Sequence, residues 1–363
     1  MLYLDHAATT PVRPEVLDAM LPYLSERFGN PSSHHTVGEA AASVLADARR
    51  RIASVVGMRP ADVVFTSGGT EADNLAVKGI AIGTALRRGA PVHVITTPIE
   101  HEAVLRSCDY LERVHGMTVT RVAVDGTGLV DPAAVAAAVR RDTALVSVGY
   151  ANNEIGTVQD VAALASVAAT SGIPLHLDAV QAAGWLPLAH TGADALSIAG
   201  HKVGAPAGIG VLAVRGRLPL EPLLHGGGQE RERRSGTENL AGAVAIPTAL
   251  ELAEAERADT AAQVTAVRDR FISRVLHRVP SARLTGHPRR RLPGTARFTF
   301  AGTSGEAVLL ELERRGVVSS SGSACAAGSD EPSHVLLALG IPPEVAQTAV
   351  RFTLGHDLGR RDR

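Results

Sequence analysis

At 363 residues, with 36 Lys and Arg against 37 Asp and Glu, the chain has a formal net charge of −1 and is 45% hydrophobic. That length accommodates one large domain and a smaller one, while the dispersed charge and 3% aromatic content leave no basic stripe or stacking surface for nucleic acid. Two cysteines, Cys108 and Cys325, make no disulfide framework. No charged-then-apolar leader opens the chain and no apolar run nears the roughly twenty residues of a membrane span, so a reducing, cytoplasmic setting without a membrane partner is expected.

Taken in chain order, strand-like runs alternate with Ala-rich stretches of helical spacing. "DVVFTSG" (62–68) precedes the helical "EADNLAVKGIAIGTALRR" (71–88), and "PVHVITT" (91–97) precedes "EAVLRSCDYLERVHG" (102–116), where Cys108 shares a core face with Leu105 and Leu111. "TVTRVAV" (118–124), "TALVSVGYA" (143–151), "IPLHLDA" (173–179), "DALSIAG" (194–200) and "GIGVLAV" (208–214) are further strands, with helical "DPAAVAAAVRR" (131–141) and "VQDVAALASVAATSG" (158–172) between them. The alternation predicts an α/β fold, a mostly parallel sheet with helices on both faces. Binding loops then gather at the carboxyl ends of the strands. Ser67–Thr70, Glu100–His101, Asn152–Glu154, Asp178 and Lys202 all fall at such ends.

Beyond "HGGGQERERRSGTEN" (225–239), a long helix is predicted over about Leu240–Val279, with Pro247 as a kink point. It leads to a second domain containing "ARFTFAG" (296–302), "EAVLLELERRG" (306–316), a Ser/Gly-rich run around Cys325, and "VRFTLG" (350–355). The expected division is a large domain of 15–250 and a small one of 1–14 with 251–363. "PRRR" at Pro288–Arg291, the densest basic run, reads as a solvated loop.

Several of these positions carry chemistry. Lys202 and Asp178, each ending a strand, can serve pyridoxal phosphate: the lysine as Schiff base, the aspartate as partner of the protonated pyridine nitrogen. A lysine after a strand is otherwise an ordinary surface residue. "TSGGTEADN" offers backbone N–H groups and a helix start to a phosphate; equally, Thr70 can be a plain N-cap with Asp73 three residues on. His101 after its strand is either structural or a ring-stacking proton shuttle. Cys325 lies among small residues that cannot pack firmly, which favours a nucleophile on a moving loop. Arg351 can clamp a carboxylate, although its position alone suggests a surface role. "HGGG" lacks the G-x-S-x-G elbow of an esterase. "GIGVLA" opens a strand where a dinucleotide fingerprint would follow one. His34–His35 lacks zinc spacing, and no metal site is predicted.

These segments together resemble the pyridoxal-phosphate-dependent cysteine desulfurases of the NifS/IscS type, within the class V aminotransferases. The resemblance runs through "YLDHAATTPVRPEV", "FGNPSSHHTVG", "VVFTSGGTEADNLAVKG", "IEHEAV", "NNEIGTVQD", "LDAVQAAG", "GHKVGAPAGIG", "HGGGQERERRSGTEN", "SSSGSACAAG" and "VRFTLG", nearly the whole chain in family order. It implies a type I fold of the pyridoxal-phosphate transferases, with a seven-stranded sheet and a smaller α+β domain. It implies Lys202 as the Schiff-base lysine, Asp178 on the pyridine nitrogen, His101 stacked on the ring, and Asn153 and Gln181 on its phenolic side. Gly69, Thr70 and His201 would hold the phosphate, joined by Thr237 from a neighbouring subunit, hence a homodimer with shared sites. Arg351, with Asn30 as a second candidate, would grip the carboxylate of L-cysteine, and Cys325 would take its sulfur as a persulfide. A sulfur-acceptor protein (an iron–sulfur scaffold or a tRNA-thiolation enzyme) would follow.

Three departures stand out. Ala199 replaces the family's usual serine two residues before the His-Lys pair, removing one phosphate hydroxyl worth roughly 1 to 3 kcal/mol if charge-assisted. Arg297 stands where asparagine is common. The chain ends at "GHDLGRRDR", where relatives continue through a further helical segment that meets the scaffold partner in some of them. Two other activities remain open on sequence grounds: a C–S or C–Se lyase using Cys325 only incidentally, and a non-catalytic cofactor-binding interaction subunit.

Overall fold

The computed structural model describes residues 1–322 and 331–356. All seven strands expected in the larger sheet are present, in the order Val63–Thr66, Gly210–Val214, Ala195–Ala199, Leu175–Asp178, Thr143–Gly149, His93–Thr96, Thr118–Arg121. Neighbours run parallel except Gly210–Val214, which is antiparallel to the strands on either side.

Unbroken apolar runs make these strands because both faces of the sheet are covered. Their period-2 alternation divides the core: Val63, Phe65, Val146, Leu175 and Ile198 face one side, Val64, Val94, Leu145 and Leu212 the other. Leu45 and Ile52 of helix Thr36–Val56, with Ile246 and Leu250 of Leu240–Arg278, cover the first side. Leu75, Ile80, Val104, Cys108 and Leu111 cover the second. Cys108 is fully buried, as its helical position predicted, and burial pushes its thiol up to about 12. The edge strand Thr118–Arg121 is half-exposed.

The chain crosses from Val63–Thr66 to His93–Thr96, steps outward to Thr118–Arg121, then returns inward through Thr143–Gly149, Leu175–Asp178 and Ala195–Ala199. Stepping reverses between His93–Thr96 and Thr143–Gly149. Loops leaving the carboxyl ends of those strands diverge, and divergence leaves a crevice there.

A smaller antiparallel sheet sets Thr295–Phe300 between Ala282–Leu284 and Val350–Thr353. Phe271, on the long helix, meets Phe298 and Phe352 edge-on and joins that helix to it. Leu2–Tyr3 runs parallel to Val317–Val318, bringing the start of the chain to this region. Helix Leu240–Arg278 passes through Pro247. The "PRRR" run is not simply a solvated loop: Arg289 and Arg290 are exposed, but Arg291 is buried. Its guanidinium donates to the carbonyls of Ile155, Thr285 and Thr295, replacing the water it loses.

Candidate active site

The crevice is a cavity of about 1120 Å³, lined by Gly69, Thr70, His101, Asn153, Asp178, Gln181, His201, Lys202 and Arg351 among others. Nine of the residues singled out in the sequence therefore meet at one place.

At one end, Gly68 precedes helix Gly69–Asn74 with no side-chain cap. Thr70 therefore lies inside the helix and is not its N-cap. The uncapped amides and Thr70 face the cavity together, an arrangement that suits an anion. Glycine is required behind it, since a Cβ on Gly210 would lie 2.5 Å from the Gly68 carbonyl carbon. Ala199 also lines the cavity and offers no hydroxyl. His201 Nδ1 lies 3.2 Å from Thr9 Oγ1, and burial with the Lys202 charge beside it brings its imidazole down to about 4.

The floor is acidic. Asp178 ends strand Leu175–Asp178, and its Oδ1 accepts from the Val180 amide at 2.9 Å. Burial raises its carboxyl; His101, the Val180 amide and Lys202 pull the other way. Asp73 is raised well above the usual range by burial and by Asp178, and its Oδ1 has no hydrogen-bond partner among the described residues. Glu100 is pushed up to about 8, chiefly by burial, although Thr97 Oγ1 (2.5 Å) and the Gly149 amide (2.6 Å) donate to it. A cationic ring nitrogen suits this carboxyl-rich, low-dielectric floor. Sequence reasoning noted Glu100 only as a neighbour of His101 and Asp73 only as a helix-start residue.

Lys202 follows Ala195–Ala199 on a single tight turn, Gly200–Lys202, and its Nζ donates to Ala7 O (2.5 Å) and Ala8 O (2.6 Å). Gln181 Nε2 reaches the same Ala7 carbonyl at 3.0 Å. His101 has a structural role and also lines the cavity. It N-caps helix Glu102–His115, its Nδ1 accepting from the Ala103 amide at 3.1 Å, so Nδ1 carries no proton and Nε2 does.

Arg351 is not a surface residue, contrary to its position alone: it is 1% exposed. Its Nη1 donates to Asn153 O at 2.9 Å and its Nη2 to Asp5 Oδ1 at 2.7 Å. Arginines from the smaller sheet and its approach thus hold three consecutive residues of the larger sheet's loop. Arg351 binds Asn153 O, Arg297 pairs with the Glu154 carboxylate, and Arg291 binds Ile155 O.

Two expected positions do not line this cavity, and a third is not described. Asn30 is exposed and its Oδ1 caps a local turn, accepting from the Ser32 amide at 2.9 Å. Thr237 is exposed and does not line the cavity of its own chain. Cys325 lies outside the described residues.

The sequence matches the class-V aminotransferase family over residues 2–362. It is 44% identical to the cysteine desulfurase IscS of Dictyoglomus turgidum over 356 residues, covering 98% of this chain and 89% of that one. A cysteine desulfurase of Cereibacter sphaeroides is 46% identical over 358 residues, covering 98% and 91%. Among solved structures, a NifS-like protein superposes with a TM-score of 0.90 at 34% identity, covering 98% of this chain and 94% of that one. The chain belongs to the class-V aminotransferase family.

Proposed function

We propose that this protein is a pyridoxal-phosphate-dependent cysteine desulfurase, converting L-cysteine to L-alanine and passing the sulfur to Cys325. The observation that carries the reading is the convergence of Lys202, Asp178, His101 and an uncapped helix start in one cavity, with the buried Arg351 guanidinium on its wall. A solved relative described as SspA in complex with cysteine, 36% identical with a TM-score of 0.85, supports the substrate.

The residues fit the cofactor. Gly69, Thr70 and His201, with Thr237 from a second subunit, would hold the phosphate; Asp178 would pair with the ring nitrogen; Asn153 and Gln181 would orient the phenolic side; Lys202 would bond the aldehyde. When bound, pyridoxal phosphate supplies that aldehyde and a ring that accepts the electron pair released at Cα. Arg351 orients the substrate carboxylate. Lys202 Nζ, once released, accepts the Cα proton, and the Ala7 and Ala8 carbonyls hold the ammonium that results. His101 Nε2 is the group on hand for protons near the substrate sulfur. Cys325 Sγ, as thiolate, attacks that sulfur, so the new S–S bond forms as Cβ–S breaks; Cys325 persulfide and alanine account for every atom. An acceptor protein then takes the terminal sulfur. We assign the site to a cytoplasmic homodimer.

With cysteine and a thiol, the holoenzyme is expected to yield alanine and sulfide in equal amounts. Cys325→Ala is expected to keep the chromophore and lose turnover. Full-rate turnover by that variant would instead assign the protein to the lyases that need no persulfide.

A further inference from the structure

Arg297 takes no part in the chemistry above, yet it is one of the most deeply buried side chains, at 1% exposure. Strand register sets it directly opposite Arg351, so both side chains leave the same face of the smaller sheet. Like charges so placed repel unless each has its own counter-ion. Each does: Arg351 Nη2 binds Asp5, and Arg297 Nη1 binds Glu154. Arg297 Nη2 also donates to Ser321 O at 2.8 Å, while Ser333 Oγ donates to Glu154 Oε2 at 2.5 Å. The fit is close, since a Cβ on Gly322 would lie 3.0 Å from Arg297 Cζ.

Glu154 directly follows Asn153, whose carbonyl binds Arg351, and both Glu154 and Arg351 line the cavity. Arg351 Nε has no hydrogen-bond partner among the described residues. A Glu154 carboxylate deprived of Arg297 would be a buried charge on the wall of the cavity that Arg351 also lines, and a buried charge without a partner turns to the nearest cation.

We propose that Arg297 is a positioning residue that sequesters Glu154 and so leaves the Arg351 guanidinium free of a competing carboxylate and available to the substrate carboxylate. The inference rests on Arg351 being the carboxylate-binding group. It also gives the arginine at this position a role in substrate affinity beyond packing.

The test is L-cysteine binding to Cys325→Ala holoenzyme, followed by the chromophore's absorbance, so that affinity is read without turnover. Adding Arg297→Gln is expected to raise the Kd about tenfold or more, and adding Glu154→Gln to it to bring the Kd back within about threefold of the parent. An unchanged Kd in the single variant overturns the proposal. So does a paired variant as weak as the single one, because loss of packing alone would not be rescued by removing a carboxylate. Where the single variant fails to fold, the paired variant decides: parent-like affinity supports the proposal and an approximately tenfold loss overturns it. Arg351→Gln separates the underlying reading. If it leaves cysteine affinity unchanged, the carboxylate assignment itself fails, whatever Arg297 does.

Discussion

His176 shows how one side chain carries a pH dependence into the core. It lies between Ser147 Oγ and Ser197 Oγ, 2.9 Å from each, on the strands either side of its own. Burial lowers its imidazole to about 3. The folded state therefore binds its proton only near pH 3, whereas an unfolded histidine binds it near 6.5. Its contribution is complete above about pH 6.5 and falls by ~1.4 kcal/mol per pH unit below that. Buried Glu100 and Asp73, whose carboxyls are raised, act in the opposite sense over the same range, so the His176 share is read as a difference. Urea unfolding of the apoprotein and of His176→Gln between pH 7 and 5 is expected to differ in pH slope by about this amount. Equal slopes in both proteins would contradict the account. At this scale the sequence was unevenly legible. Lys202, Asp178 and His101 could be read because a polar residue ending an apolar run is conspicuous. Arg291, Arg297 and Arg351 could not, since burial of an arginine depends on partners such as Ile155, Glu154 and Asp5 that are distant in the chain.

Element-level strain gathers in the turn after "HGGG". Glu230, Arg231 and Glu232 have φ of 48°, 59° and 64°, a left-handed run that side chains disfavour. The first two have a reason to be there. Strand Val63–Thr66 is an edge of the larger sheet, and its outward groups need partners. Glu230 Oε2 accepts from the Phe65 amide at 3.2 Å, and Arg231 Nη2 donates to Val63 O at 2.6 Å, so side chains complete the ladder. Exposed Glu232 has a backbone bond to Gly228 O at 3.0 Å and shares only the strain. Glu232→Gly is therefore expected to stabilise the protein by about 1 kcal/mol, raising the denaturant midpoint with m unchanged. A lower midpoint would mean that its side chain, not its backbone, matters. The seven strands were readable from continuous apolar runs. This turn was not, because "QERE" has good helix formers and its left-handed path is imposed by the sheet edge.

Across the whole molecule, the proposed division into 15–250 and 1–14 with 251–363 falls within the continuous helix Leu240–Arg278, and residues from both parts line the cavity. Resemblance supplied what periodicity could not: the expectation that Thr237 would serve a second chain. If sites are shared, sedimentation is expected to give a dimer, and Thr237→Val to release cofactor faster than the parent on dialysis. A monomer that retains cofactor fully would refute the sharing. The account as a whole depends on Lys202 being the covalent tether. Borohydride reduction of the purified holoprotein, then peptide mapping by mass spectrometry, tests that most directly. The result expected is a reduced pyridoxyl group on Lys202 and on no other lysine; a chromophore fixed at Lys78, or none fixed at all, would contradict it.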